Sequence, residues 1–213
     1  MINDCVFCRE LNGSRNTNFA TRYPEIQSRI IYETESLVAF PCIGQLVNGH
    51  FLVVPKNHDC TLAQTQKRLN NLNLELTHLL REVHLILGFE LNDSLIFEHG
   101  ALGPNDGSCG IYHAHLHVLP SISKIDASKL YNFDNNDPIK NIESVLKNTP
   151  VDKPYIFAGN LKDGFYHLQL KEALPSQTLR KAVANQLNTE QWDWRKVERE
   201  ENMVVLLKKM ELA

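Results

Sequence analysis

From residue 112 the chain alternates without a break: Tyr112, Ala114, Leu116 and Val118 are apolar, and His113, His115 and His117 sit between them. Alternation at period two predicts a half-buried strand, with the three imidazoles on the face opposite the apolar side chains. The same reasoning predicts short strands over residues 28–33 and 36–41 around a turn near Glu35, an apolar strand from His50 to Pro55, and another from Asp93 to Glu98. Between the last two the period changes to that of a helix. Thr61-Leu62-Ala63-Gln64 has the pattern of a capping box, and Leu69, Leu72, Leu76, Leu79, Leu80, Val83, Ile86 and Leu87 form one apolar stripe that Gly88 ends. This predicts a single long helix. His78 and His84 fall off that stripe and read as surface residues. A glycine-rich loop, His99 to Gly110, delivers the chain into the histidine strand.

Beyond residue 121 the pattern shifts. Asp134-Asn135-Asn136-Asp137-Pro138 signals a loop, and Ile139 to Lys147 suits a short helix. Tyr155 to Ala158 and Phe165 to Leu170 read as a hairpin joined by Gly159 to Gly164. Ser176 is placed to cap a helix with the apolar face Leu179, Ala182, Val183 and Leu187, and Met203 to Met210 suggests a last helix. Mostly antiparallel strands with segregated helices make the expected class α+β.

A chain of 213 residues can bury a sizeable core. Its 43% hydrophobic and 22% charged residues are ordinary for a globular protein. A formal charge of −3 and a pI near 6.3 exclude a global basic field for nucleic acid or an anionic membrane. No apolar run approaches a membrane span and residues 1–18 do not resemble a signal peptide, so a cytoplasmic location without membrane contact is expected.

In a reducing compartment the C-x-x-C pair Cys5 and Cys8 reads as metal-binding or redox. A redox pair normally heads a helix after a βαβ strand, which residues 1–10 do not offer. The other three cysteines, Cys42, Cys60 and Cys109, read as small packed residues. Two thiolates leave two positions of a tetrahedral zinc site open. Alternate residues of a strand lie about 6.8 Å apart, so His113 and His117 are about 13 Å apart. Zinc holds each nitrogen at about 2.0–2.1 Å. One metal could take two of these histidines but hardly three, which implies divided labour.

The run His113-Ala114-His115-Leu116-His117-Val118-Leu119 resembles the His-φ-His-φ-His-φ-φ signature of the histidine-triad (HIT) superfamily of nucleotidyl hydrolases and transferases. Cys5-Val6-Phe7-Cys8, Ile31-Tyr32-Glu33, Leu37-Val38-Ala39-Phe40 and the segment Asn48 to His58 (N-G-H-F-L-V-V-P-K-N-H) are similar to further family segments, in the same order. The resemblance implies a HIT-like antiparallel sheet with a long helix over residues 1–121, followed by a C-terminal α+β extension over residues 122–213.

The resemblance also implies roles. Cys5, Cys8, His58 and His113 match the ligands of a structural zinc, one per chain. His115 matches the nucleophile that attacks the α-phosphate of a nucleotide conjugate or dinucleoside polyphosphate, forming a covalent nucleotidyl-histidine that water hydrolyses. His117 and His50 match groups that hold or protonate phosphate oxygens. No catalytic metal is required if other groups neutralise the phosphate. Pro175 to Lys181 is similar to a segment of larger bacterial members, and Gln177, Arg180 and Lys181 at a helix start could receive a polyphosphate.

The expected function is therefore hydrolysis of a small-molecule nucleotide substrate. Two alternatives stay open: a nucleotidyl transferase or phosphorylase, whose members usually carry Gln where this chain has His117, and a nucleotide-binding protein with little turnover. DNA-end repair is remote, since no basic cluster is visible. A homodimer is left open, because the extension could stand in for the dimer partner common among small members. The chain departs from the family at Glu98-His99-Gly100, where Asn before x-Gly is frequent, at Gly110 (often Ser), and at Cys42 (often an acidic residue gripping ribose). Phosphate and ribose contacts are not carried over to those positions.

Overall fold

The computed structural model describes residues 4–103, 110–122, 124–133, 137–172, 174–197 and 200–211. Residues 104–109 of the expected glycine-rich loop, Cys109 among them, and residues 134–136 of the expected polar loop lie outside the described residues. The strands are β1 (Tyr32–Glu33), β2 (Leu37–Pro41), β3 (Phe51–Pro55), β4 (Leu95–Gly100), β5 (Leu116–Leu119), β6 (Tyr155–Asn160) and β7 (Gly164–Gln169). They form one antiparallel sheet of order β1-β2-β3-β5-β4-β6-β7. The helices are α1 (Val6–Leu11), α2 (Asn18–Arg22), α3 (Leu62–Arg68), α4 (Leu72–Leu87), α5 (Ile142–Asn148), α6 (Thr178–Gln186) and α7 (Glu200–Glu211). The class is α+β. Among the described residues no helix is long and apolar enough to cross a membrane.

Both sheet faces are covered, which is why β2, β3 and β5 are buried at every position. One set of alternate residues (Leu37, Ala39, Phe51, Val53, Leu116, Val118) packs against Leu72, Leu76, Leu79 and Val83 of α4. The opposite face is shared by two clusters. Val38, Phe40, Leu52 and Val54 pack on Phe7 and the Cys5–Cys8 turn, while Phe97, Ile156 and Ala158 pack on Leu179, Val183 and Ala184 of α6. The seam between those clusters runs along β5 and β4. The hairpin β6–β7, from residues 122–213, extends the same sheet through β4.

The expected long helix is two helices. Thr61 caps α3 by accepting from Gln64 N, but Leu69 is extended and α4 restarts after Asn71. Asn70 and Asn71 favour turns because their amides compete for local backbone groups. Gly88 ends α4 in the left-handed conformation (φ 70°). His84 is not on the surface: its Nδ1 bonds Leu80 O (2.7 Å) and its Nε2 bonds Ser94 Oγ (2.7 Å), so the polar ring is satisfied inside. His78 is exposed, as expected. α6 begins at Thr178 behind Gln177, which takes a left-handed φ of 65°, so Ser176 does not cap it.

Candidate active site and metal centre

The alternation from Tyr112 to Val118 is regular, yet the strand begins only at Leu116. Upstream, Ala114 N bonds Asp59 O (2.7 Å), which ties the histidine run to the loop after β3 instead of to the ladder. This brings His113 to His58. Cys5, the N-cap of α1, and Cys8, in its first turn, come from the other side. The ligand atoms of Cys5, Cys8, His58 and His113 all lie within 4.8 Å of one another.

Cys5 Sγ is 3.3 Å from His113 Nδ1, and Cys8 Sγ is 3.2 Å from His58 Nδ1 and 3.5 Å from His113 Nδ1. A tetrahedral shell with zinc–sulfur and zinc–nitrogen bonds of about 2.3 and 2.05 Å separates its ligand atoms by about 3.3–3.8 Å, so these residues fit a zinc site. His113 Nε2–H donates to Pro55 O (2.8 Å), which turns the Nδ1 lone pair toward the thiols, an orientation expected of a metal-ligating imidazole. Burial and the neighbouring Cys5 push the Cys8 thiol up to about 12, a penalty on the thiolate that a cation there would offset.

The other histidines meet on the seam face of the sheet. His50 is fully buried at the start of β3, and its Nδ1 accepts from Leu46 N (3.2 Å). A neutral ring that accepts at Nδ1 carries its proton on Nε2. His50 Nε2–H therefore donates to His117 Nδ1 (2.9 Å), which in turn leaves the His117 proton on Nε2. The His117 ring stacks on Phe97 at 4.6 Å. His115, half-buried, donates from Nδ1 to His113 O (2.7 Å), so its Nε2 is the basic nitrogen.

Burial holds the pKa of His117 well below the usual histidine value, reinforced by His50, His115 and Arg180. Burial also lowers His115, against the opposing bond to the His113 carbonyl, and Arg180 adds to the lowering. Neutral imidazoles with lone pairs and N–H groups in known places result.

The pocket above these rings is lined by Phe7 and Val6 of the N-terminal turn, by Cys42 and Leu52, by His99, His115 and His117, and by Gln177, Leu179 and Arg180 of the extension. Arg180 is buried. Its Nε–H donates to Trp192 O (3.0 Å), one terminal nitrogen donates to Gly44 O (2.6 Å), and the other lies 3.6 Å from Cys42 Sγ. Gly44 has φ +68°, and a side chain there would meet Trp194 backbone at 2.6 Å, so glycine lets the extension close on the pocket.

Of the residues expected to bind substrate, Gln177 and Arg180 line the pocket, whereas the Lys181 ammonium lies 5.6 Å from the Trp192 ring centre. Both ends of the Gln177 amide are engaged, one donating to Asp193 Oδ1 (2.8 Å) and one accepting from Trp194 N (3.0 Å). His99 was missed from the sequence. Its position two residues after Phe97 on β4 puts it on the same sheet face as the histidine site, a signal that strand alternation carries.

The sequence model of the HIT domain matches residues 23–124, a span that holds His50, His58 and the whole histidine run. A relative named adenosine 5'-monophosphoramidase from Xenopus tropicalis is 30% identical over 122 residues, covering 57% of this chain and 70% of that protein. The chain belongs to the HIT family. An uncharacterised HIT-like protein of Borreliella burgdorferi is 28% identical over 121 residues, covering 55% of this chain and 75% of its own length. Among solved structures, a member of the HIT family from Bacillus subtilis is 24% identical with a TM-score of 0.42, covering 63% of this chain and 87% of that one.

Proposed function

We propose that this HIT protein is a nucleotidyl hydrolase that cleaves at the α-phosphate of a nucleotide conjugate or dinucleoside polyphosphate through a covalent nucleotidyl-His115. The observation that carries this reading is the fixed tautomer set: His115 with Nε2 basic, beside His117 with its proton on Nε2. A nucleophile toward phosphorus needs a free lone pair, and the phosphate oxygens need donors that do not reorganise during reaction. His115 Nε2 attacks phosphorus, the bond to the leaving group breaks, and the leaving group departs with the electron pair and takes up a proton from solvent. His117 Nε2–H donates to a phosphoryl oxygen, with His50 holding its tautomer. The Arg180 cation raises the positive field on which the phosphate sits. Water then attacks phosphorus, the P–Nε2 bond breaks with its electron pair returning to His115, and water's proton passes to solvent, releasing the nucleotide.

Cys5, Cys8, His58 and His113 would hold one zinc, which fixes the N-terminal turn and the strand that presents His115. With four protein ligands its role is structural. The catalytic unit is assigned to residues 1–121. The extension over residues 122–213 contributes Arg180 to the pocket, and a cytoplasmic setting keeps the cysteines reduced. The relative named a monophosphoramidase supports trying phosphoramidates first. Turnover of a panel of adenosine 5'-phosphoramidates, adenosine 5'-phosphosulfate and dinucleoside polyphosphates tests the proposal. Release of a nucleoside monophosphate from any of them is expected; none with any member would contradict it.

A further inference from the structure

His99 is the histidine of the pocket that no role has yet absorbed. The ladder between β4 and β5 pairs Leu95 with Leu119, Ile96 with Val118 and Phe97 with His117. The ladder ends there, and His99, two residues further along β4, lies on the same sheet face as Phe97 and His117. Side chains on one face of neighbouring strands, direct or diagonal, lie about 4.5–8 Å apart, close enough to share a ligand. His99 lines the pocket with His115 and His117, and its Nε2 is buried with no hydrogen-bond partner among the described residues. A buried polar nitrogen without a partner is destabilising, and such atoms concentrate where a ligand completes the bond.

We infer that His99 is a second donor to the phosphate, with Nε2–H bonding a non-bridging oxygen of the phosphoryl group attacked by His115. This rests on the nucleotidyl-transfer reading above and adds a contact to it. The sheet order decides which oxygen. β5 carries His117 and lies between β3 and β4, so His50 backs His117 from the β3 side and His99 stands on the β4 side. In an in-line displacement the leaving group lies beyond phosphorus, opposite the nucleophile, and the non-bridging oxygens lie around the equator. Groups flanking His115 laterally face the equator. His99 therefore stabilises the charge that grows on an equatorial oxygen and does not protonate the leaving group.

The test combines wild-type spectroscopy with two variants. In long-range proton–nitrogen NMR of the zinc-loaded protein, adenosine 5'-monophosphate is expected to move the His99 Nε2 resonance along with those of His115 and His117. His99→Phe keeps the ring volume and removes the donor; kcat on the best panel substrate is expected to fall about 10²-fold with KM within about threefold, as for loss of one oxyanion donor. His99→Gln, which returns an N–H near the same place, is expected to recover turnover to within about tenfold of wild type. Zinc content and melting temperature, read for both variants, identify any folding defect, and the wild-type NMR is independent of it. If the nucleotide moves His115 and His117 but not His99, the inference is overturned and the proposed function stands. An unchanged kcat in a folded His99→Phe has the same meaning. If the nucleotide moves no pocket imidazole, the inference and the reading beneath it both fail.

Discussion

Replacing Glu98 by Gln isolates a proton that the fold should hold in its core. Glu98 faces away from the pocket on β4, is buried, and accepts from Leu62 N (2.9 Å) at the start of α3 and from Tyr155 OH (2.5 Å) on β6. Burial raises its carboxyl from 4.5 to about 7, against the two hydrogen bonds, which favour ionisation. Between those pH values the unfolded chain has lost the proton and the folded chain keeps it. Wild-type stability from this group is therefore full below pH 4.5, falls as pH rises, and levels off above about 7.

At about 1.4 kcal/mol per tenfold, the change is on the order of 3 kcal/mol. For a chain of this size that corresponds to a shift of about 6–12 °C in melting temperature. The buried His115 and His117 titrate with the opposite sign, so the informative quantity is wild type minus Glu98→Gln, in which contributions from other groups cancel. Thermal melts at pH 5, 6, 7 and 8 should show that difference moving against wild type by about 5–10 °C from pH 5 to 8, since part of the change is complete by pH 5. Superimposable pH profiles would refute the assignment of a raised carboxyl to Glu98.

Four other outcomes are expected. Purified protein should contain about one zinc by metal analysis; Cys5→Ser with Cys8→Ser should lose it and melt much lower, since structural zinc supplies on the order of 10 kcal/mol of apparent binding free energy. Arg180→Met should destabilise by about 2–4 kcal/mol in denaturant titration, from lost charge-assisted bonds to Trp192 O and Gly44 O, and should weaken phosphate binding. Lys181→Ala should leave KM within about twofold, because its ammonium lies over Trp192; a KM rise that shrinks with salt would count against that placement. Gly44→Ala should loosen the extension, read as faster proteolysis within residues 174–197, because the new methyl meets Trp194 backbone.

Much of the site is legible before any coordinate. Hydrophobic alternation pointed to the β5 face, the C-x-x-C spacing and the HIT resemblance pointed to the four residues that cluster, and Thr61 and Gly88 stand where helix ends were expected. What escaped has a common cause: it depends on a partner far along the chain. His84 looks like a surface residue until Ser94 is placed beside it. The histidine strand looks longer than it is because nothing local shows that Ala114 bonds Asp59. His99 falls at the edge of what reads as a loop, and only the pairing of Phe97 with His117 shows that β4 carries it into the same pocket as His115. Arg180 belongs to a helix whose approach to the pocket depends on glycine at position 44.

The central claim is that His115 carries the nucleotide. Rapid acid-free quenching of the reaction with the best panel substrate, followed by intact-mass and peptide mass spectrometry, measures this directly. The expected result is one nucleotidyl group per chain, on His115, labile to acid, and absent from His115→Ala, whose kcat should fall by about 10³-fold or more. Turnover by His115→Ala at the wild-type rate, or a nucleotidyl group on another residue, would contradict the account.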